Sequence, residues 1–154
     1  MQQQLPTFGQ LERNLSQDIQ KLYREELKHT PQKVTSKFFG NQLTILVEGA
    51  LTKVEQILID ERNGNQIVEN LNLAINSVIK SKLKTLIETI LEVEVEDVLF
   101  DSKIETKRTG AIVILSRVPQ VRSPRSLWKI PKIKDLTQAD NNLVLTTELN
   151  EPET

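Results

Sequence analysis

A row of aliphatic residues between positions 66 and 91 restricts the possible folds more than any other feature of the chain. Ile67, Leu71, Ile75, Ile79, Leu83, Leu86 and Ile90 recur at steps of three or four, the repeat of one helix face. Val68, Ala74, Val78, Ile87 and Leu91 widen that face. A stripe so broad predicts contact on two sides, with a sheet and with another helix or subunit. The rest of the core must be aliphatic too, because hydrophobic residues make up 38% of the 154 positions and aromatic ones only 4%.

The segments around this row alternate in period. From residue 9 to 28, Leu11, Leu15, Ile19, Leu22, Tyr23 and Leu27 keep helical spacing, and Pro31 ends it by biasing Thr30 toward extended backbone. The period then falls to two, with Val34, Ser36 and Phe38 on one side and Leu43, Ile45 and Val47 after Gly40-Asn41. Two such runs around Gly-Asn predict a tight hairpin, since those residues tolerate positive φ. Thr52-Lys53-Val54-Glu55 has the form of a capping box opening a short helix, and Asn63-Gly64-Asn65 separates that helix from the long one. Val93, Val95, Val98 and Phe100 predict a strand running to about Glu105, with residues 111–116 as its partner. The order α-β-β-α-(α)-β-β is that of an α+β domain, a four-stranded antiparallel sheet covered on one face by helices, over residues 1–118.

Residues 119–154 differ in kind. Pro119, Pro124, Pro131 and Pro152 punctuate them, and Arg122, Arg125, Lys129, Lys132 and Lys134 precede Asp135, Asp140, Glu148, Glu151 and Glu153. This predicts a disordered tail with a basic half and an acidic half. Within it, Leu127, Trp128 and Ile130 are interleaved with the basic residues. Arg122, Arg125, Leu127, Trp128, Lys129, Ile130, Lys132 and Lys134 therefore form a candidate docking segment for a partner protein or an anionic membrane surface. Pro131 argues for extended docking over a continuous helix.

Most familiar chemistries lack their residues. There is no cysteine, which removes disulfides, thiolate nucleophiles and zinc–thiolate sites together. The five glycines, at 9, 40, 49, 64 and 110, build neither a Walker loop nor a dinucleotide fingerprint. His29 is the single histidine and reads as an exposed loop residue without the orienting partner a general base needs. Glu92, Glu94 and Glu96 recur at period two and read as a solvated strand face, since calcium sites draw their carboxylates from a tight loop. Neither a catalytic centre nor a cofactor is expected. A net charge of −1 gives no global field toward nucleic acid. The first residues show no signal-peptide pattern and no stretch is apolar enough to span a bilayer, so a cytoplasmic protein is expected.

Leu51-Thr52-Lys53-Val54-Glu55, following Leu46-Val47-Glu48-Gly49, resembles the central signature of the MpsC-like family. The first helix with its proline turn, the long helix and the segment 93–99 before a last strand resemble the family layout as well, so the likeness covers residues 10–116. Lys28-His29-Thr30-Pro31 and Glu61-Arg62-Asn63-Gly64 depart from the turns usual in the family. The family is described as part of a sodium-translocating, membrane-potential-generating system, with genomic links to inorganic-carbon uptake, and contributes no catalytic residues. The resemblance implies a non-enzymatic accessory or regulatory module that binds a protein partner, such as a membrane transport complex. A wide apolar helix face and an open sheet face add the expectation of a homodimer. The alternative function is nucleic-acid binding by the sheet and the basic stretch, for which Phe38, Phe39 and Phe100 are the aromatic candidates.

Overall fold

The structure, a computed structural model, describes residues 4–122. Helix α1 spans Phe8–Leu27 and is followed by strands β1 (Lys33–Phe39) and β2 (Gln42–Glu48). Helices α2 (Lys53–Ile59) and α3 (Gly64–Leu91) come next, then β3 (Val95–Lys103), a 3-10 turn (Ile104–Thr106) and β4 (Arg108–Leu115). The four strands form one antiparallel sheet in the order β1-β2-β4-β3, so β4 inserts between the hairpin and the strand that precedes it. The α+β class and the element order are those the periodicity predicts.

Local chemistry accounts for the boundaries. Thr7 Oγ1 accepts from the Gln10 amide at 3.0 Å, and Gln10 Oε1 accepts from the Thr7 amide at 2.8 Å, closing a capping box on α1. Lys28 ends that helix in the left-handed region at φ 53°. Gly40 takes φ 60° at the first position of the two-residue turn between β1 and β2, the place where that hairpin geometry asks for glycine. Asn41 then ties the turn to β4: its Nδ2 donates to the Leu115 carbonyl at 3.0 Å, and its own carbonyl accepts from the Leu115 amide at 2.8 Å.

The helices cover one face of the sheet. Phe38, Leu43, Ile45, Val47, Val98, Ala111 and Val113 point inward and meet Leu15, Ile19 and Tyr23 of α1 and Ile79, Leu83, Ile87 and Leu91 of α3. Phe8 and Phe38 stack at 5.1 Å between ring centroids, fixing the start of α1 on the edge strand. The buried line of α3 is rotated from the one expected. Val68, Ile87 and Leu91 are among its fully buried residues, whereas Ile67 is exposed and Leu71 and Ile75 are half-buried. Only the second half of the helix lies deep against the sheet.

Strand limits shift by a few residues. β3 stops at Lys103, short of Glu105, and β4 opens at Arg108, ahead of Ala111. Glu92, Glu94 and Glu96 do not share a strand face. Glu92 is the left-handed C-cap of α3 at φ 53°, and Glu96 lies at the register shift between Val95 and Asp97.

Candidate functional site

Of the docking residues expected in the tail, Arg122 is described. Its amide donates to the Pro6 carbonyl at 2.8 Å and its guanidinium donates to Gln4 Oε1 at 2.6 Å, so it joins the segment entering α1. Arg125, Leu127, Trp128, Lys129, Ile130, Lys132 and Lys134 lie outside the described residues. His29 is half-buried and not a free loop residue: its Nε2 donates to the Gly49 carbonyl at 2.7 Å. Of the three aromatics named for base stacking, Phe38 is buried and Phe100 packs against the core, which leaves Phe39 on the open side. Among the described residues there is no group of three or more His, Asp or Glu placed to hold a metal ion.

Position-by-position reading missed a seam of polar side chains between the helices and the sheet. Glu55, 1% exposed, is its anchor. Its Oε1 accepts from the Thr52 amide at 2.9 Å and from Thr52 Oγ1 at 2.8 Å, as a capping-box carboxylate should. Its other oxygen, Oε2, accepts from Asn72 Nδ2 of α3 at 2.8 Å. Asn72 Oδ1 accepts from Asn76 Nδ2 at 3.0 Å, and Asn76 Nδ2 also donates to Ser102 Oγ on β3 at 2.8 Å. Ser102 Oγ and Thr109 Oγ1 of β4 are 2.7 Å apart, and Thr109 hydrogen-bonds Tyr23 of α1. One polar chain thus links α2, α3, β3, β4 and α1, and its members satisfy one another. The signal that could have found it is Asn72 and Asn76, one turn apart on an apolar helix.

Two surfaces of the described residues expose aliphatic side chains. On the helical side, Ile67 (46% exposed), Ala74 and Val78 stand in one row with the half-buried Leu71. On the other side, the sheet face away from the helices carries Leu46, Leu99 (56% exposed) and Ile112 (41% exposed). Its rows across the strands are Phe39, Gln42, Ile114, Asp97; then Lys37, Thr44, Ile112, Leu99; then Thr35, Leu46, Gly110, Asp101; then Lys33, Glu48, Arg108, Lys103. Aliphatic residues occupy the middle, lysines the β1 side and aspartates the β3 side.

Carboxylates engage backbone amides on both edge strands. Glu12, buried on α1, accepts from the Phe38 amide of β1 at 2.9 Å. On β3, Glu88, Asp97 and Asp101 accept from the amides of Val95, Val98 and Ser102, each at 2.9 Å. Edge amides already engaged in this way offer little to an added strand.

The family model described as a Na+-translocating membrane potential-generating system (MpsC) matches residues 7–117. The chain belongs to the MpsC family. No curated protein and no solved structure matches it. The match opens at the α1 N-cap, Thr7, and closes just past β4. The polar seam, both exposed apolar surfaces and the engaged edge amides of this chain therefore lie within the match, while Arg122 and everything after it fall outside it. Among the described residues no helix of this MpsC domain is long and apolar enough to cross a membrane.

The seam of the MpsC domain makes one pH-dependent prediction. Burial holds the Tyr23 hydroxyl well above its ordinary range; the bond to Thr109 opposes this and the Glu55 charge reinforces it. An unfolded tyrosine ionises near pH ~10. Above that value the unfolded chain loses the proton while the folded chain keeps it, so stability falls as pH rises, by up to about 1.4 kcal/mol per unit. Tyr23→Phe is expected to cost about 1 kcal/mol at neutral pH through the lost hydrogen bond. Its stability should then decline less steeply than that of the wild type above pH ~10. Urea melts from neutral to alkaline pH check both; parallel decline of the two proteins would contradict a buried neutral Tyr23.

Proposed function

We propose that the chain is a non-enzymatic, homodimeric accessory component of a membrane ion-transport system, acting from the cytoplasmic side by binding a protein subunit of that system. Family membership supports the sodium-translocating system as the setting, and an inorganic-carbon transporter belongs to the same class of partner. The observation that carries the binding role is the α3 row Ile67, Leu71, Ala74 and Val78. Its steps of four, three and four residues follow the seam spacing that receives another helix. Exposed aliphatic side chains at this spacing favour a partner that offers an amphipathic helix.

The test is recovery of membrane proteins on the tagged full-length chain from native cells, compared with Ile67→Glu and Val78→Glu. A transport-system subunit is expected with the wild type, and its yield should fall at least about tenfold with either variant, because each buries a charge at the contact. Equal recovery with both variants would remove the α3 row as the binding surface. Recovery of no membrane transport protein would remove the proposed setting.

A further inference from the structure

We infer that the open face of the sheet is the dimer interface, packed against the same face of a second copy about a twofold axis parallel to the strands. This inference rests on the homodimer in the reading above and names its surface and symmetry.

Carboxylates occupy outward amides on both edge strands, Phe38 on one side and Val95, Val98 and Ser102 on the other, which disfavours edge-to-edge extension of the sheet. The open face carries accessible aliphatic residues: Leu46 and Ile112 on the two central strands and Leu99 beside Ile112 on β3. Antiparallel sheets tolerate water on one side, but polar residues usually cover that side; here aliphatic ones hold the centre.

Charge placement chooses the occupant. A twofold axis along the strands reverses the left-to-right order, so β1 of one copy lies over β3 of the other while the position along the strands is kept. Lys37, whose ammonium also lies 3.7 Å from the buried Glu12 of its own chain, then stands over Leu99 of the second copy, between that copy's Asp97 and Asp101. Ile112 lies opposite Thr44 and Leu46 opposite Gly110, so the aliphatic side chains of the two copies alternate across the contact instead of standing head to head. In the last row Glu48 lies over Arg108, and the like pair Lys33 and Lys103 falls at a corner where solvent screens it. An axis across the strands would instead lay β1 over β1 and β3 over β3 with the rows reversed, setting Lys37 between Lys33 and Lys37 of the second copy and Asp101 between its Asp97 and Asp101, with Asp97 over Lys103 at the ends. Sheets packed in this way lie about 10 Å apart with strands inclined by roughly 30°.

Sedimentation of the full-length chain over a range of concentrations tests this. The wild type is expected to dimerise. Ile112→Glu, which places a charge in the centre without touching the core, should raise the dimer dissociation constant at least about 100-fold with an unchanged circular-dichroism spectrum. Lys37→Asp and the double variant Asp97→Lys/Asp101→Lys should each self-associate about tenfold or more weakly. Mixed one to one, they should recover a heterodimer, because position 37 of each chain then faces opposite charge at positions 97 and 101 of the other. Recovery on mixing also separates an interface effect from a folding defect, since neither variant could rescue an unfolded partner.

A monomeric wild type would sink both the interface and the homodimer reading. A dimer indifferent to Ile112→Glu would sink the interface alone and leave the homodimer standing on another surface. Failure of the mixture to recover, with both variants folded, would overturn the strand-parallel axis.

Discussion

Replacing Glu55 by alanine is expected to lower the unfolding free energy by about 3–5 kcal/mol, the largest loss for a single polar side chain in this domain. Three hydrogen bonds end on its two oxygens, from the Thr52 amide, Thr52 Oγ1 and Asn72 Nδ2. Alanine removes both acceptor oxygens and with them all three bonds, breaks the side-chain half of the α2 capping box and leaves donors facing a space closed to water. The urea midpoint should fall by about 2 M. Glu55→Gln separates shape from charge. Its amide oxygen could still serve Thr52, but its amide nitrogen would meet Asn72 Nδ2, donor against donor. Asn72 cannot simply turn round, because its Oδ1 already accepts from Asn76. A loss of about 1–3 kcal/mol is therefore expected for glutamine. Alanine costing less than about 1 kcal/mol would mean that water reaches the seam.

Gly64→Ala is the second large effect, and here two rules conflict. Alanine in a helix is ordinarily better than glycine by about 1 kcal/mol. At this position an added Cβ would stand 1.6 Å from the Leu58 carbonyl oxygen and 2.8 Å from its carbon. The obstacle is backbone, so no rotamer change relieves it and the α2–α3 corner must open. Steric conflict outweighs propensity, and a net loss of about 3 kcal/mol is expected. Asn65→Ala, at the exposed neighbour in the same turn, is the control and should stay within about 0.5 kcal/mol of the wild type. A Gly64→Ala protein as stable as the wild type would show that the corner is looser than this close approach implies. Loss of amide protection confined to α2 would locate the damage.

Much of the architecture was legible because it is written in local periods. The aliphatic rows of α1 and α3, the alternation through β1 and β2, the Gly40 turn and the Thr52–Glu55 capping box all depend on residues within one or two turns of each other. The capping box at Thr7 and Gln10 has the same readable form but stands before the helix period begins. Features set by distant contacts were not legible. The phase of α3 shifts toward Val68 because α2 and the sheet both claim that helix, and no helical repeat records where neighbours sit. The seam joins Glu55 to Asn72, Asn76, Ser102, Thr109 and Tyr23, residues from five elements whose meeting follows from β4 entering the sheet between β2 and β3. Glu12 lies next to the apolar row of α1 yet is buried, where it accepts from the edge amide of Phe38 and pairs with Lys37, contacts no helical repeat records. The tail residues 125–134 lie outside the described chain.

Placing every helix on one side of the sheet has a consequence for stoichiometry. Two chains joined through their bare sheets would turn their α3 rows outward in opposite directions, making the pair bivalent. A target embedded in a bilayer and present in two copies would then be held by two linked contacts, and the second would form at a local concentration set by the first. Contacts too weak to survive singly could persist as a pair. Breaking the sheet contact would weaken hold on the target without altering a single residue that touches it.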